Sequence, residues 1–235
     1  MNKPTIVIAI DGPAASGKST VSRDVARKLG YHHVDTGAMY RAVTWKTIEG
    51  GVDVTDNIAV IGMLHTVKIS FESVEGSVRM LIDGVWPGDA VRVPRVADKV
   101  SIVAAIPEVR EILVQHQRSL TRFGNLVVEG RDIGSVVFPH TPNKFYLDAD
   151  PAVRAQRRQK DLAALNIQAS TESVAQNLKS RDKIDSERAT APLQIALGAT
   201  VVDTSQMSIA ECSDCVLAQI RQQNTRRGAF TTGKA

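Results

Sequence analysis

Apolar residues fall along this chain in short bursts separated by longer amphipathic stretches. Thr5–Ile10, His33–Asp35, Leu126–Val128, Lys144–Leu147 and Thr200–Val202 read as short buried strands, with helical patterns between them. Such alternation predicts an α/β fold with a parallel five-stranded sheet covered on both faces. Three of these runs end in a carboxylate, at Asp11, Asp35 and Asp203, and a fourth in Glu129. Ligands of such sheets bind beyond the C-terminal strand ends, which places Asp35 and Glu129 near a binding crevice.

The pattern changes period once. Thr66–Glu72 alternates through Val67, Ile69 and Phe71, and Val78–Ile82 through Val78, Met80 and Ile82. Asp83-Gly84 signals a hairpin turn before Val85-Trp86. This predicts a small antiparallel meander inserted in the α/β core. Pro107 opens a helix with Val109, Ile112, Leu113, His116 and Leu120 on its buried face. Asp150-Pro151 opens another by its cap and first-turn residues. On it Arg154, Arg157 and Arg158 form a basic patch, either solvent-facing or closing over bound phosphates. In the helix from Thr171 to Arg188, the positions Val174, Leu178, Arg181, Asp185 and Arg188 share one face. That stripe begins apolar and turns ionic, as expected of a helix running from the core into a cleft; a surface ion pair is the alternative.

The chain has 235 residues, enough for one large domain or a core with an insertion. No apolar run approaches the length of a membrane span. Met1-Asn2-Lys3-Pro4 leads directly into the first strand, so no signal peptide is expected and the cytoplasm is the expected location. The net charge of +4 suits a polyanionic ligand without selecting one. The basic residues are dispersed and aromatics make up only 4%, unlike most nucleic-acid binders. Cys212 and Cys215 lie in a helical stretch, Ser208 to Gln222, with no second ligand pair; two reduced thiols are expected rather than a redox or zinc element. Asn224 to Ala235 carries no apolar pattern and reads as a frayed tail.

One motif carries most of the chemistry. Gly12-Pro13-Ala14-Ala15-Ser16-Gly17-Lys18-Ser19 satisfies G-x-x-x-x-G-K-[ST], with a strand before it and a helix from Thr20 to Leu29 after it. Inward N–H groups of such a loop hold phosphate oxygens. Lys18 would reach the β and γ phosphates, and Ser19 would ligate Mg²⁺. No N-K-x-D element is present, since Asn143-Lys144-Phe145-Tyr146 lacks the acid; this excludes a GTPase. Motors and helicases are far larger. A small kinase remains, and it needs a second anionic pocket. Val34 to Arg41 and Glu129 to Gly134 follow strands at the same sheet edge, and each supplies an arginine able to grip phosphate.

Taken together, Gly12–Thr20, Asp35 to Arg41, Glu129 to Gly134 and Arg181-Asp182…Asp185…Arg188-Ala189…Ala191-Pro192-Leu193 resemble the bacterial cytidylate kinase family over roughly residues 3 to 223. The meander insertion also resembles the bacterial type. The resemblance implies a nucleoside-monophosphate kinase fold: a core at 3–38, 121–153 and 170–223, an acceptor-binding region with insertion at 39–120, a lid at about 154–169 and a tail at 224–235. It implies that ATP, CMP and dCMP are the substrates, with Mg²⁺ as cofactor. No exposed apolar stripe for a dimer is evident, so a monomer is the default expectation, and the composition leads us to expect no membrane or nucleic-acid partner. The resemblance further implies that Arg41, Arg131 and Arg188 hold the CMP phosphate, Ser101, Arg110 and Asp132 read cytosine, and Arg181 and Asp185 bind ribose, with Asp35, Thr36, Tyr40 and Gly130 in the same pocket. Arg154, Arg157 and Arg158 would serve the lid beside ATP, with Lys18, Arg131, Arg158 and Arg188 acting on the transferring group. Glu129 departs from the Asp of many members, and its longer arm puts a contact with magnesium-bound water in question. The rival readings are a kinase of another monophosphate or of a small metabolite, and a nucleotide-gated protein whose Arg226, Arg227 and Lys234 meet RNA.

Overall fold

A computed structural model describes residues 5–231 of the chain. The strands are β1 (Val7–Asp11), β2 (His32–Asp35), β3 (Ile69–Val74), β4 (Ser77–Ile82), β5 (Leu126–Gly130), β6 (Asn143–Asp148) and β7 (Thr200–Asp203). They form one seven-stranded sheet in the order β3-β4-β2-β5-β1-β6-β7. The five expected strands are all present and mutually parallel. The expected separate meander is corrected: β4 continues the core sheet by pairing in parallel with β2, His33 with Ser77 and Val34 with Val78. An uncovered β2 edge would leave backbone groups unpaired, and the hairpin satisfies them. The turn between β3 and β4 is Glu75-Gly76, both at positive φ (50° and 75°). Asp83-Gly84 does turn, with φ of 53° and 77°, but Val85-Trp86 is no third strand; Val85 meets Ile82 in a single bridge.

Nine α-helices are assigned among the described residues: α1 (Lys18–Leu29), α2 (Thr36–Glu49), α3 (Asn57–Thr66), α4 (Pro94–Ala97), α5 (Val100–Val103), α6 (Pro107–Ser119), α7 (Pro151–Ala164), α8 (Thr171–Glu187) and α9 (Ile209–Thr231). β1 shows why the sheet is central. All five of its residues are buried, and alternate side chains enter opposite layers. Val7 and Ala9 join α2 and α6 residues such as Met39 and Leu113, whereas Ile8 and Ile10 join Val21 and Val25 of α1 and Val216 of α9. Cys212 is buried in that second layer and both cysteines are free thiols, as expected. Asp35 caps α2 by accepting from the Ala38 N–H (2.8 Å), and Asp150 caps α7 by accepting from Ala152 (2.7 Å). The α7–α8 pair encloses its own small core of Ala155, Leu162, Val174 and Leu178.

The last helix runs beyond the Gln222 at which its pattern ended, to Thr231. The remainder of the expected tail, the side chains of Arg226 and Arg227, Lys234 and the first four residues lie outside the described residues. No described helix is long and apolar enough to cross a membrane.

Candidate active site

The β1–α1 turn makes the first wall. Gly12 has a φ of 147°, and a Cβ there would stand 2.1 Å from the Leu147 carbonyl oxygen, so only glycine fits. Gly17 starts α1 at a φ of 90°. Between them the loop wraps around the Lys18 side chain, whose Nζ donates to the Pro13 carbonyl (2.5 Å) and to Ser16 Oγ (3.3 Å). Burial, reinforced by the nearby charge of Arg131, pushes the Lys18 ammonium from its ordinary 10.5 down to about 7, with Glu129 and Asp11 pulling the other way.

Ser19 Oγ donates to Glu129 Oε2 at 2.8 Å. The longer glutamate arm therefore does reach the phosphate loop. A hydroxyl and a carboxylate oxygen side by side are the hard donors Mg²⁺ prefers, and Mg²⁺ takes its other ligands from water and phosphate. No three described His, Cys, Asp or Glu side chains gather into a metal site.

The facing wall is cationic. Asp35 accepts from Arg41 Nη2 at 2.8 Å. Burial opposes ionisation of that carboxyl, but the charges of Arg41 and His33 prevail and hold it near 2. Arg131 Nε donates to Asp185 Oδ2 at 2.9 Å. Asp132 is gripped by Arg110 through a short ion pair and has Arg188 Nη2 at 3.8 Å on its other oxygen. The Arg110 guanidinium lies 5.4 Å above the Tyr40 ring. Val174, Leu178, Asp185 and Arg188 are all buried, so the mixed stripe of α8 does run from core to cleft. Four guanidinium nitrogens here, Arg41 Nε, Arg110 Nε, Arg181 Nε and Arg188 Nη2, are buried without a hydrogen-bond acceptor. Native interiors rarely leave such donors unpaired, so this wall is shaped for an anion. Arg181 bears the cost: burial and the charge of Arg131 lower its pKa to about 10.

Both walls face one cavity of about 850 Å³. Of the expected site residues, only Gly12, Pro13, Ser16 and Arg154 stay off its surface; Thr20, Thr36, Ser101 and Gly130 lie on it with the charged groups already named. The basic patch of α7 divides. Arg157 and Arg158 line the cavity. Arg154 points behind the phosphate loop, donating to the carbonyls of Ala149 and Ala14 (both 3.2 Å) and pairing with Asp182 (2.5 Å).

Three supporting residues had no role in the sequence reading. Asp182 also accepts from the Ala14 N–H at 3.4 Å, so it holds the loop from α8. Thr204 Oγ1 donates to the Ser16 carbonyl (3.0 Å) and accepts from Arg157 (2.9 Å). His33 contacts Glu129 (3.1 Å). Asp182 stands inside the quoted Arg181…Arg188 motif, which was its one available signal; the partners of the other two are distant in sequence.

A phosphate-cradling loop with a buried lysine, set across one cavity from a cage of under-satisfied arginines, defines a P-loop phosphotransferase acting on an anionic acceptor. The comparisons agree and narrow it. The profile of the family described as cytidylate kinase matches residues 8–222. The chain is 41% identical over 231 residues to a cytidylate kinase of Lactiplantibacillus plantarum, covering 98% of this chain and 100% of the relative. It is 40% identical over 222 residues to one of Caldanaerobacter subterraneus subsp. tengcongensis, covering 94% and 97%. A solved structure of an uncharacterized protein from Eubacterium ventriosum shares the fold alone, at a TM-score of 0.50 and 10% identity over 92% of this chain and 98% of that one. The chain belongs to the cytidylate kinase family.

Proposed function

We propose that this chain transfers the γ-phosphoryl group of ATP to CMP, and to dCMP in the same seat, by direct in-line transfer that yields ADP and CDP or dCDP. One observation carries the reading: Arg41, Arg110, Arg181 and Arg188, each with a buried guanidinium nitrogen that lacks an acceptor, line the same cavity as the phosphate loop. Mg²⁺, held by Ser19 and Glu129 with phosphate oxygens, would neutralise charge on the transferring group when bound. The attacking oxygen of a nucleoside monophosphate is already ionised at neutral pH, so no side chain has to remove a proton. The difficulty is electrostatic, because two polyanions must touch. The negative charge of the donor phosphates favours the protonated form of Lys18, and Arg131, Arg158 and Arg188 complete the cationic surround of the reacting phosphoryl group. Arg41 shares the acceptor phosphate with Arg131 and Arg188, while Arg181 and Asp185 position the ribose.

Cytosine presents an amine where uracil presents a carbonyl. Asp132 accepts from that amine, oriented by Arg110 with Ser101 beside it, and repels the carbonyl. The segment at 154–169, with Arg157 and Arg158, closes over ATP, and the 39–120 region closes over CMP, excluding water that would otherwise hydrolyse ATP. All the residues given roles here come from one chain, and a monomer is the proposed working unit. The free thiols of Cys212 and Cys215 suit a reducing cytoplasm. Titrating CMP, dCMP and UMP while following ADP formation tests the reading. CMP should be consumed with a kcat/KM well above that for UMP; ADP formation that is insensitive to CMP would refute it.

A further inference from the structure

Glu129 carries one more rotatable bond than an aspartate, and a free carboxylate on that arm samples several positions. Here both of its oxygens are engaged. Oε2 accepts from Ser19 Oγ at 2.8 Å, and Oε1 lies 3.1 Å from His33 Nε2. Both the His33 and Glu129 side chains are about 5% exposed or less. A carboxylate oxygen offers only lone pairs, so the facing imidazole nitrogen must carry the hydrogen.

The strand register explains the meeting. His33 pairs with Val127 and Asp35 with Glu129, so His33 and Glu129 rise from neighbouring strands on the same face of the sheet. That face is the one covered by α1, whose second residue is Ser19.

We infer that His33 is a positioning residue for the metal–phosphate site: its Nε2–H fixes the carboxylate of Glu129 so that the other oxygen stays beside Ser19, where the cation would sit. Partners of this kind orient a ligand without touching the metal. The inference rests on the reading of Ser19 and Glu129 as the Mg²⁺-holding pair, and it gives His33 a task that burial of a polar pair alone does not require.

The test is binding rather than turnover. A fluorescent N-methylanthraniloyl derivative of ATP is titrated against the full chain with and without Mg²⁺. The readout is the factor by which Mg²⁺ improves affinity. His33→Leu should reduce that factor by about tenfold and leave the Mg²⁺-free affinity unchanged. His33→Gln, whose amide donor falls near the position of Nε2, should retain it. Should His33→Leu not fold, His33→Asn, whose donor stops short of Glu129, takes its place. A His33→Leu protein that is less stable but keeps the wild-type factor overturns the inference, as does an equal loss in His33→Gln. A wild type that gains nothing from Mg²⁺ refutes the Ser19–Glu129 reading, and the inference with it.

Discussion

Lys18→Met should yield a protein that is more stable and catalytically dead. The folded state lowers the lysine pKa from 10.5 to about 7, chiefly through burial. At ~1.4 kcal/mol per pH unit, the charged lysine costs the fold about 5 kcal/mol. The unfolded chain holds this proton more tightly than the folded one. Stability therefore rises with pH between about 7 and 10.5, and the full penalty applies below that window. Methionine of similar length removes the charge, but it also forfeits the hydrogen bonds to Pro13 and Ser16, worth about 1 kcal/mol each. The net gain is about 3 kcal/mol near pH 6, falling to roughly zero near pH 9. For a chain of this size that is a rise in Tm of roughly 6–12 °C at the lower pH. Urea unfolding of both proteins near pH 6 and pH 9 measures the gain, and a coupled ADP assay should show turnover lower by on the order of 10² or more. A variant no more stable than wild type near pH 6, or a gain that persists undiminished near pH 9, would refute the argument that the loop stores an unfavourable buried charge.

Other substitutions probe the acceptor wall. Asp132→Asn should narrow the ratio of kcat/KM for CMP over UMP by at least about tenfold; an unchanged ratio would remove Asp132 from base selection. Arg188→Ala should raise the KM for CMP on the order of tenfold or more with little change in the KM for ATP, whereas a fall in Tm alone would leave Arg188 a structural residue. Gly130→Ala places a Cβ 2.6 Å from Thr36 Oγ1 and 2.7 Å from Ile133 Cδ1, so unfolding should show a loss of about 1–3 kcal/mol; wild-type stability would mean that this corner yields freely.

How legible the molecule was in its sequence depends on how local each signal is. The phosphate loop, the parallel strands and the capping residue Asp150 were readable because period, cap and glycine requirements act over a few neighbours. The α8 face was readable for the same reason. Two turn signals in the insertion compete, however, and only Asp83-Gly84 was read, whereas Glu75-Gly76 joins β3 to β4. That β4 docks on the β2 edge depends on a pairing more than forty residues away in the chain, which no window sees. The placements of Thr204 and His33 are hidden in the same way, since Thr204 meets Ser16 across 188 positions and His33 meets Glu129 across 96. Arg154 shows a subtler limit. Helical spacing puts it with Arg157 and Arg158, but it lies one turn deeper and finds the carbonyl of Ala14 rather than the cavity.

The β4–β2 pairing also governs how this enzyme can move. A hinged lobe swings as a unit about a flexible stem, but here the inserted hairpin extends the floor of the sheet, stitched by backbone hydrogen bonds to the same platform that carries the phosphate loop. Rotating that floor would tear the stitching. On the proposed reading, closure over CMP therefore falls to the parts of the 39–120 region that pair with no strand, such as the short α4 and α5 helices, and closure over ATP to the 154–169 segment of α7. The two substrates would then meet over a fixed deck, with only the roof travelling.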